Sequence, residues 1–150
     1  MTHSYRIHYF HLIWSTRNRT PWINAELKEQ LYPYLAGIIK NHKGKLIAIG
    51  GMPDHIHILV ELSLLDQFSA IIRMLKSSSS LWIHKTFPQN KDFAWQEGYG
   101  SFSVSFSNLE KVKMYIHNQE IHHENISFDQ EYLTFLKHHN ICYDERFVFG

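Results

Sequence analysis

The chain holds a single cysteine, Cys142, among 150 residues. No internal disulfide can form, a disulfide-stapled scaffold is excluded, and a lone thiol fits a reducing cytoplasm. Nor does any apolar run approach the ~20 residues that span a bilayer, and the polar, histidine-bearing N-terminus does not read as a signal peptide. A cytoplasmic protein with no membrane partner is therefore expected. Charge of one sign is equally scarce: 15 Lys and Arg stand against 14 Asp and Glu, a formal net of +1. That balance excludes a global pull on nucleic acid, so any such surface must be local. Candidates are Arg17 with Arg19, Lys40 with Lys43 and Lys45, Arg73 with Lys76, and Lys111 with Lys113. No repeat or low-complexity linker interrupts the chain, and its length suits one domain, 1–150, with a substantial core.

Histidine and aromatic residues are abundant instead, with 12 His, 10 Phe, 8 Tyr and 4 Trp. Imidazoles bind metals and titrate near neutrality, while exposed rings stack on bases. Most rings in a folded domain are nevertheless core. The question is which of them are not.

Local patterns lay out the elements. Residues 5–14, rich in aromatic and branched side chains, read as a central strand. Asn24 is placed to cap a helix whose apolar positions are Leu27, Leu31, Leu35, Ile38 and Ile39, with Pro33 expected to kink or split it and Gly44 to end it. A second strand, 45–50, turns through Gly51-Met52-Pro53-Asp54 into a third, forming an antiparallel hairpin. Asp66 is expected to cap a helix carrying Phe68, Ile71, Ile72, Leu75, Trp82 and Ile83. After a loop, residues 101–106 alternate strictly and read as a fourth strand. Capping boxes at Ser107-Asn108-Leu109-Glu110 and Ser127-Phe128-Asp129-Gln130 should open two more helices, one running from Asn108 to about Glu124 and one ending near His139. The order β-α-β-β-α-β predicts an α+β, ferredoxin-like (RRM-like) sandwich with an antiparallel sheet and C-terminal helices added to it.

The third strand carries the chemistry. In Asp54-His55-Ile56-His57-Ile58-Leu59-Val60-Glu61-Leu62 the period of two puts His55, His57, Leu59 and Glu61 on one face. Ile56, Ile58, Val60 and Leu62 occupy the other, which would bury well. A lone His-x-His pair on a strand is more often structural than metal-binding. A third histidine in step is missing, because position 59 is Leu, and a pair of His-x-Thr or His-x-Ser motifs is absent. On the helix opened near Asn108, Leu109, Val112 and Ile116 form the core stripe, and Tyr115, Gln119 and His122 follow one flank at helical spacing. Two imidazoles, an amide oxygen and a phenol can together hold a divalent metal and a nucleophile. Seen alone, Tyr115 would be a boundary aromatic with a wet hydroxyl.

The segments His8-Tyr9-Phe10-His11-Leu12-Ile13-Trp14-Ser15-Thr16, Gly51-Met52-Pro53-Asp54-His55-Ile56-His57, Trp95-Gln96-Glu97-Gly98-Tyr99-Gly100-Ser101-Phe102-Ser103-Val104-Ser105 and Tyr115-Ile116-His117-Asn118-Gln119 occur in this order across the chain. Together they resemble the single-tyrosine HUH transposases of the insertion-sequence 200/605 type and their domesticated relatives associated with repetitive extragenic palindromes. The resemblance implies that His55, His57 and Gln119 ligate Mg²⁺ or Mn²⁺ and that Tyr115 is the nucleophile. His122, beyond Gln119 on the same flank, is placed as a helper, with a structural role the more ordinary expectation. The resemblance also implies a DNA transposase: a single-stranded DNA endonuclease and strand transferase acting at hairpin-bearing element ends through a 5′-phosphotyrosine, working as a homodimer in the bacterial cytoplasm and at the nucleoid when bound to DNA. Two alternatives stand beside it, a domesticated palindrome-associated nuclease and a non-enzymatic nucleic-acid-binding module on the same sheet.

Overall fold

The computed structural model describes residues 3–63 and 65–150; Met1 and Thr2 of the polar N-terminal segment, and Leu64, lie outside the described residues. Strands β1 (His8–Ser15), β2 (Lys45–Met52), β3 (His55–Leu62) and β4 (Gly100–Ser103) form one antiparallel sheet in the order β2-β3-β1-β4. Helix α1 (Ala25–Asn41) joins β1 to β2, and α2 (Phe68–Thr86) joins β3 to β4. That is the expected split β-α-β arrangement. Helices α3 (Leu109–His117), α4 (Gln119–His122) and α5 (Phe128–His138) complete the chain.

Period-two alternation decides what each face of the sheet meets. Leu12 and Trp14 of β1, and Ile56, Ile58, Val60 and Leu62 of β3, pack under Leu27, Leu31, Leu35 and Ile39 of α1 and Ile71, Ile72, Leu75 and Ile83 of α2. Each such fully buried aliphatic side chain contributes about 1.5–3 kcal/mol of transfer free energy. The opposite face is covered too, by Ile116 of α3 on Ala48 and Leu59, and by Phe128, Tyr132 and Leu136 of α5 with Ile13 and Phe102. Gly50 permits the first of these contacts: a Cβ there would collide with the Ile116 carbonyl oxygen. The residue after Tyr115 therefore rests directly on β2.

Several local expectations are corrected. Helix α1 is continuous rather than split, because Pro33 lies on the exposed side, where the Glu29 carbonyl that loses its helical donor can be hydrated. Its Asn24 cap forms as expected, accepting from Leu27 N at 2.9 Å. Asp66 sits inside a short 3₁₀ turn, Leu65–Gln67, and α2 begins after it. Strand β1 starts at His8, and β4 ends at Ser103; Val104 still donates its N–H to the Tyr9 carbonyl at 2.9 Å, and the chain leaves the sheet after it. The box at Ser107 does not form. Residues Phe106–Asn108 make a 3₁₀ turn, Asn108 gives no side-chain cap, and Ser107 Oγ bonds Ser105 Oγ at 3.1 Å instead. The second box, Ser127 with Gln130, is complete. The single helix expected from Asn108 to Glu124 is interrupted at Asn118, whose ψ of 24° departs from helix.

Candidate active site and metal centre

β3 enters the sheet directly after the Pro53-Asp54 turn, so its first inward residue, His55, sits beside the acid that ends the turn. Asp54 Oδ1 accepts the His55 Nδ1–H at 2.7 Å. Two residues on, His57 Nδ1 lies 2.7 Å from Nε2 of His11, which β1 brings alongside. His55 and His57 are 0 % exposed and His11 2 %. In both strand histidines Nδ1 is tied off sideways, so Nε2 is aimed into the space under α3–α5. Anchoring of the remote nitrogen is what orients imidazoles that ligate metals.

Tyr115, Gln119, His122 and Glu131 approach from the helices. Gln119 Oε1 lies 3.1 Å from His55 Nε2 and 2.9 Å from His123 Nε2, while its amide nitrogen donates to the Tyr115 carbonyl at 3.3 Å. The Tyr115 hydroxyl donates to Glu131 Oε2 and lies 3.0 Å from His122 Nε2. Glu131, 2 % exposed, takes His57 Nε2–H on Oε1 at 2.9 Å, with His123 at 3.3 Å and His55 at 3.5 Å from the same oxygen, while His122 lies 3.2 Å from Oε2. A carboxylate is only an acceptor, so His57 Nε2 carries the proton and its Nδ1 receives one from His11. Imidazole nitrogens of His55, His57 and His123 and a Glu131 oxygen lie within 4.8 Å of one another, a set able to hold a metal ion.

Burial and charge pull these groups apart in pKa. Burial alone would raise Glu131, but hydrogen bonds from His123 and His57 and the nearby imidazoles hold it well below the usual carboxylate range. Burial, with the Glu131 charge behind it, pushes the Tyr115 phenol far above its ordinary value. Burial lowers His57 against the pull of Glu131, and lowers His11 further with His57 adding to it. His123 goes the other way: burial opposes its charged form, yet Glu131 and the Ile126 carbonyl outweigh that. The cluster is thus an anion wrapped in imidazoles.

The structure brings together all four residues singled out from the sequence. Gln119 touches His55 directly, whereas Tyr115 meets His57 through Glu131. Glu131, His123 and the anchoring His11 were not among them. Glu131 had a legible signal, being the one acid on the inward stripe Phe128, Glu131, Tyr132, Phe135 of α5; His123 lies one turn beyond Gln119. Tyr115 borders two clefts, one of about 250 Å³ with His122, Glu131 and His138, the other of about 330 Å³ with Lys111, Ser103 and His139. Of the basic candidates, Arg17, Arg73 and Lys76 line a third cleft of about 550 Å³ together with Trp95 and the 41 % exposed Tyr99. Arg19 is paired with Asp129 at 3.0 Å. Among the described residues no helix is long and apolar enough to cross a membrane.

Comparison with known proteins places the chain in a family. Residues 4–119 match the model of the family described as transposase IS200-like, and the chain belongs to that family. It is a DNA-processing enzyme of the transposase class. It is 26 % identical over 115 residues to the ISDra2 transposase TnpA of Deinococcus radiodurans, covering 73 % of this chain and 82 % of that protein. A crystal structure of a Deinococcus radiodurans protein described as a transposase superposes with a TM-score of 0.64 at 26 % identity, covering 79 % of this chain and 95 % of the other. A tyrosine transposase associated with REP elements, solved bound to a REP hairpin, shares the fold with a TM-score of 0.62 at 17 % identity, over 84 % of this chain and 75 % of that one.

Proposed function

We propose that the chain, as one nuclease domain over 1–150, cuts and rejoins single-stranded DNA at hairpin-bearing ends through a covalent bond to Tyr115. One observation carries this reading: the Tyr115 hydroxyl, a buried carboxylate and the inward nitrogens of His55 and His57 meet in a single cluster. Structural packing alone gives no reason to bury an acid among four imidazoles.

The tyrosine oxygen attacks the scissile phosphorus, the bond from phosphorus to the 3′ oxygen breaks, and a 5′-phosphotyrosine and a free 3′-hydroxyl result. The phenol is a poor nucleophile while protonated, and the Glu131 carboxylate beside it orients the hydroxyl while keeping its proton on the oxygen in the resting site. The leaving 3′ oxygen takes up one proton, which keeps the step balanced. Because the phosphotyrosine conserves the phosphodiester bond, the 3′-hydroxyl of another strand reverses the step without ATP. His55 and His57, with Gln119 as the third group that the family resemblance implies, would hold Mg²⁺ or Mn²⁺. When bound, that ion supplies Lewis-acid polarisation and orientation of the phosphate. The cleft with Arg17, Arg73 and Lys76 offers phosphate contacts, and Tyr99 a stacking surface worth ~1–3 kcal/mol per base. The likeness to a transposase solved with a REP hairpin supports a hairpin as the bound DNA form. A homodimer is part of the same reading.

The test uses a labelled single-stranded oligonucleotide carrying a hairpin and a flanking cleavage site. Wild-type protein should yield an adduct that survives boiling in detergent, and Tyr115→Phe none. An adduct persisting in Tyr115→Phe would move the nucleophile elsewhere and end this assignment.

A further inference from the structure

The two clefts that border Tyr115 differ in charge. The smaller has the buried Glu131 carboxylate in its wall. The larger, of about 330 Å³, has Lys111, Ser103, Asn108 and His139 around it and, among the described residues, no acid. We propose that this larger cleft is a subsite for one nucleotide of the strand being cut, next to the scissile phosphate, with Lys111 holding a neighbouring phosphate and His139 stacking the base. This inference rests on the nuclease reading above and deepens it, by naming residues that set the strand in line with the tyrosine.

Place and charge are the first argument. Lys111 and Tyr115 are four residues apart on α3, so they share one face of the helix. Lys111 is exposed and, among the described residues, has no ion-pair partner. Its ammonium meets a phosphate as a point charge on a flexible stem, and Ser103 and Asn108 add neutral donors to the same wall. His11 also lines this cleft and lies 2.7 Å from His57 Nδ1. The subsite therefore abuts the nucleophile and the histidine cluster together.

The second argument is the ring. His139 is the C-cap of α5, where Asn140 turns into the left-handed region at φ 55° and the Ile141 N–H donates to the Leu136 carbonyl at 2.8 Å. The exposed His139 ring stacks on the buried Phe102, with centroids 4.5 Å apart at 27°, and lies nearly parallel to Phe135 at 6.4 Å and 8°. A ring backed in this way keeps one orientation at the edge of the cleft. Burial, and then His138, lower its pKa, so at pH 7 it stacks as a neutral ring. Every base has a π face to lay against it, whatever the sequence.

The full chain is tested with a hairpin-bearing single-stranded oligonucleotide in three forms: unmodified, with an abasic residue at each nucleotide flanking the cleavage site in turn, and with a neutral methylphosphonate at each flanking linkage in turn. Fluorescence anisotropy in EDTA reads affinity, and adduct formation with Mg²⁺ or Mn²⁺ is read separately. One abasic position should weaken wild type at least about 5-fold but His139→Ala less than about 2-fold, because the stack it removes is already gone. One methylphosphonate should weaken wild type at least about 3-fold but Lys111→Ala less than about 2-fold. Lys111→Ala should also flatten the slope of log affinity against log salt by about 0.7, the share of one phosphate contact on a single strand. His139→Phe and Lys111→Arg should restore the wild-type pattern. Circular dichroism melts check folding; should His139→Ala not fold, the Lys111 variants decide. Modifications that weaken each alanine variant as much as wild type, at every flanking position, overturn the proposal. The nuclease reading fails separately, if wild type binds the unmodified oligonucleotide and forms no adduct.

Discussion

Replacing Gly50 by alanine adds one methyl group on the sheet, yet it should be felt at the nucleophile. The new Cβ would collide with the Ile116 carbonyl oxygen and press on the Ile116 side chain at 3.1 Å. Restoring an ordinary contact of about 3.5 Å requires α3 to retreat on the order of 1 Å. Overpacking of this kind costs about 1–3 kcal/mol. At roughly 2–4 °C per kcal/mol for a chain of this size, the melting temperature should fall by about 2–12 °C. Tyr115 precedes the displaced residue, and a misplacement of about 1 Å at a reacting group can cost about 10²-fold in rate. The control is Gly37→Ala on α1, where nothing lies within 4 Å of the added carbon. In mid-helix the same substitution should stabilise by about 0.4–1 kcal/mol and leave adduct formation alone. Thermal melts and single-turnover adduct formation measure both. A Gly50→Ala chain that melts with wild type and forms adduct at the wild-type rate would refute the claim that this contact sets the position of α3.

Tyr115→Phe removes a donor to a charged acceptor, so besides losing the adduct it should lose about 1.5–3 kcal/mol of stability by denaturant titration; an unchanged midpoint would mean the hydroxyl bonds nothing in solution. Lys76 is brought down to about 8, mainly by burial against the pull of Glu97. Its charge is therefore present below that pH and lost above it, and affinity for single-stranded DNA should decline from pH 7 to 9. Lys76→Arg, which stays charged, should flatten the profile; an identical decline in that variant would exclude Lys76 as its source. Sedimentation at micromolar concentration should show a homodimer, and a monomer with full strand-transfer activity would remove that element of the reading.

Strand β3 was legible because both of its faces are buried by different layers, so strict alternation assigned the imidazoles without ambiguity. Helix α1 was legible because its one buried face repeats every four residues, at Leu27, Leu31, Leu35 and Ile39, a spacing that survives Pro33. The interruption at Asn118 was not, since apolar spacing continues through it and a single residue's ψ leaves no mark on composition. Glu131 escaped because acids are usually solvent-facing, and its burial depends on partners more than 70 positions away in β3. His123 has its meaning only once α5 is folded over it. The box at Ser107 failed because the turn before α3 consumed the residues that would have capped it.

The sheet resembles those of RNA-binding modules that lay bases flat on bare strands, yet here neither surface of the sheet is bare. With helices on both sides, a strand of nucleic acid has no platform to lie on. Tyr115 itself borders two clefts, of about 250 and 330 Å³. These match the lower end of pockets built for small molecules, about 300 Å³. A cleft of that volume is on the scale of a single nucleotide rather than of a stacked duplex. Under the proposed activity, the preference for single strands would then be a matter of doorway size, enforced before any base is read.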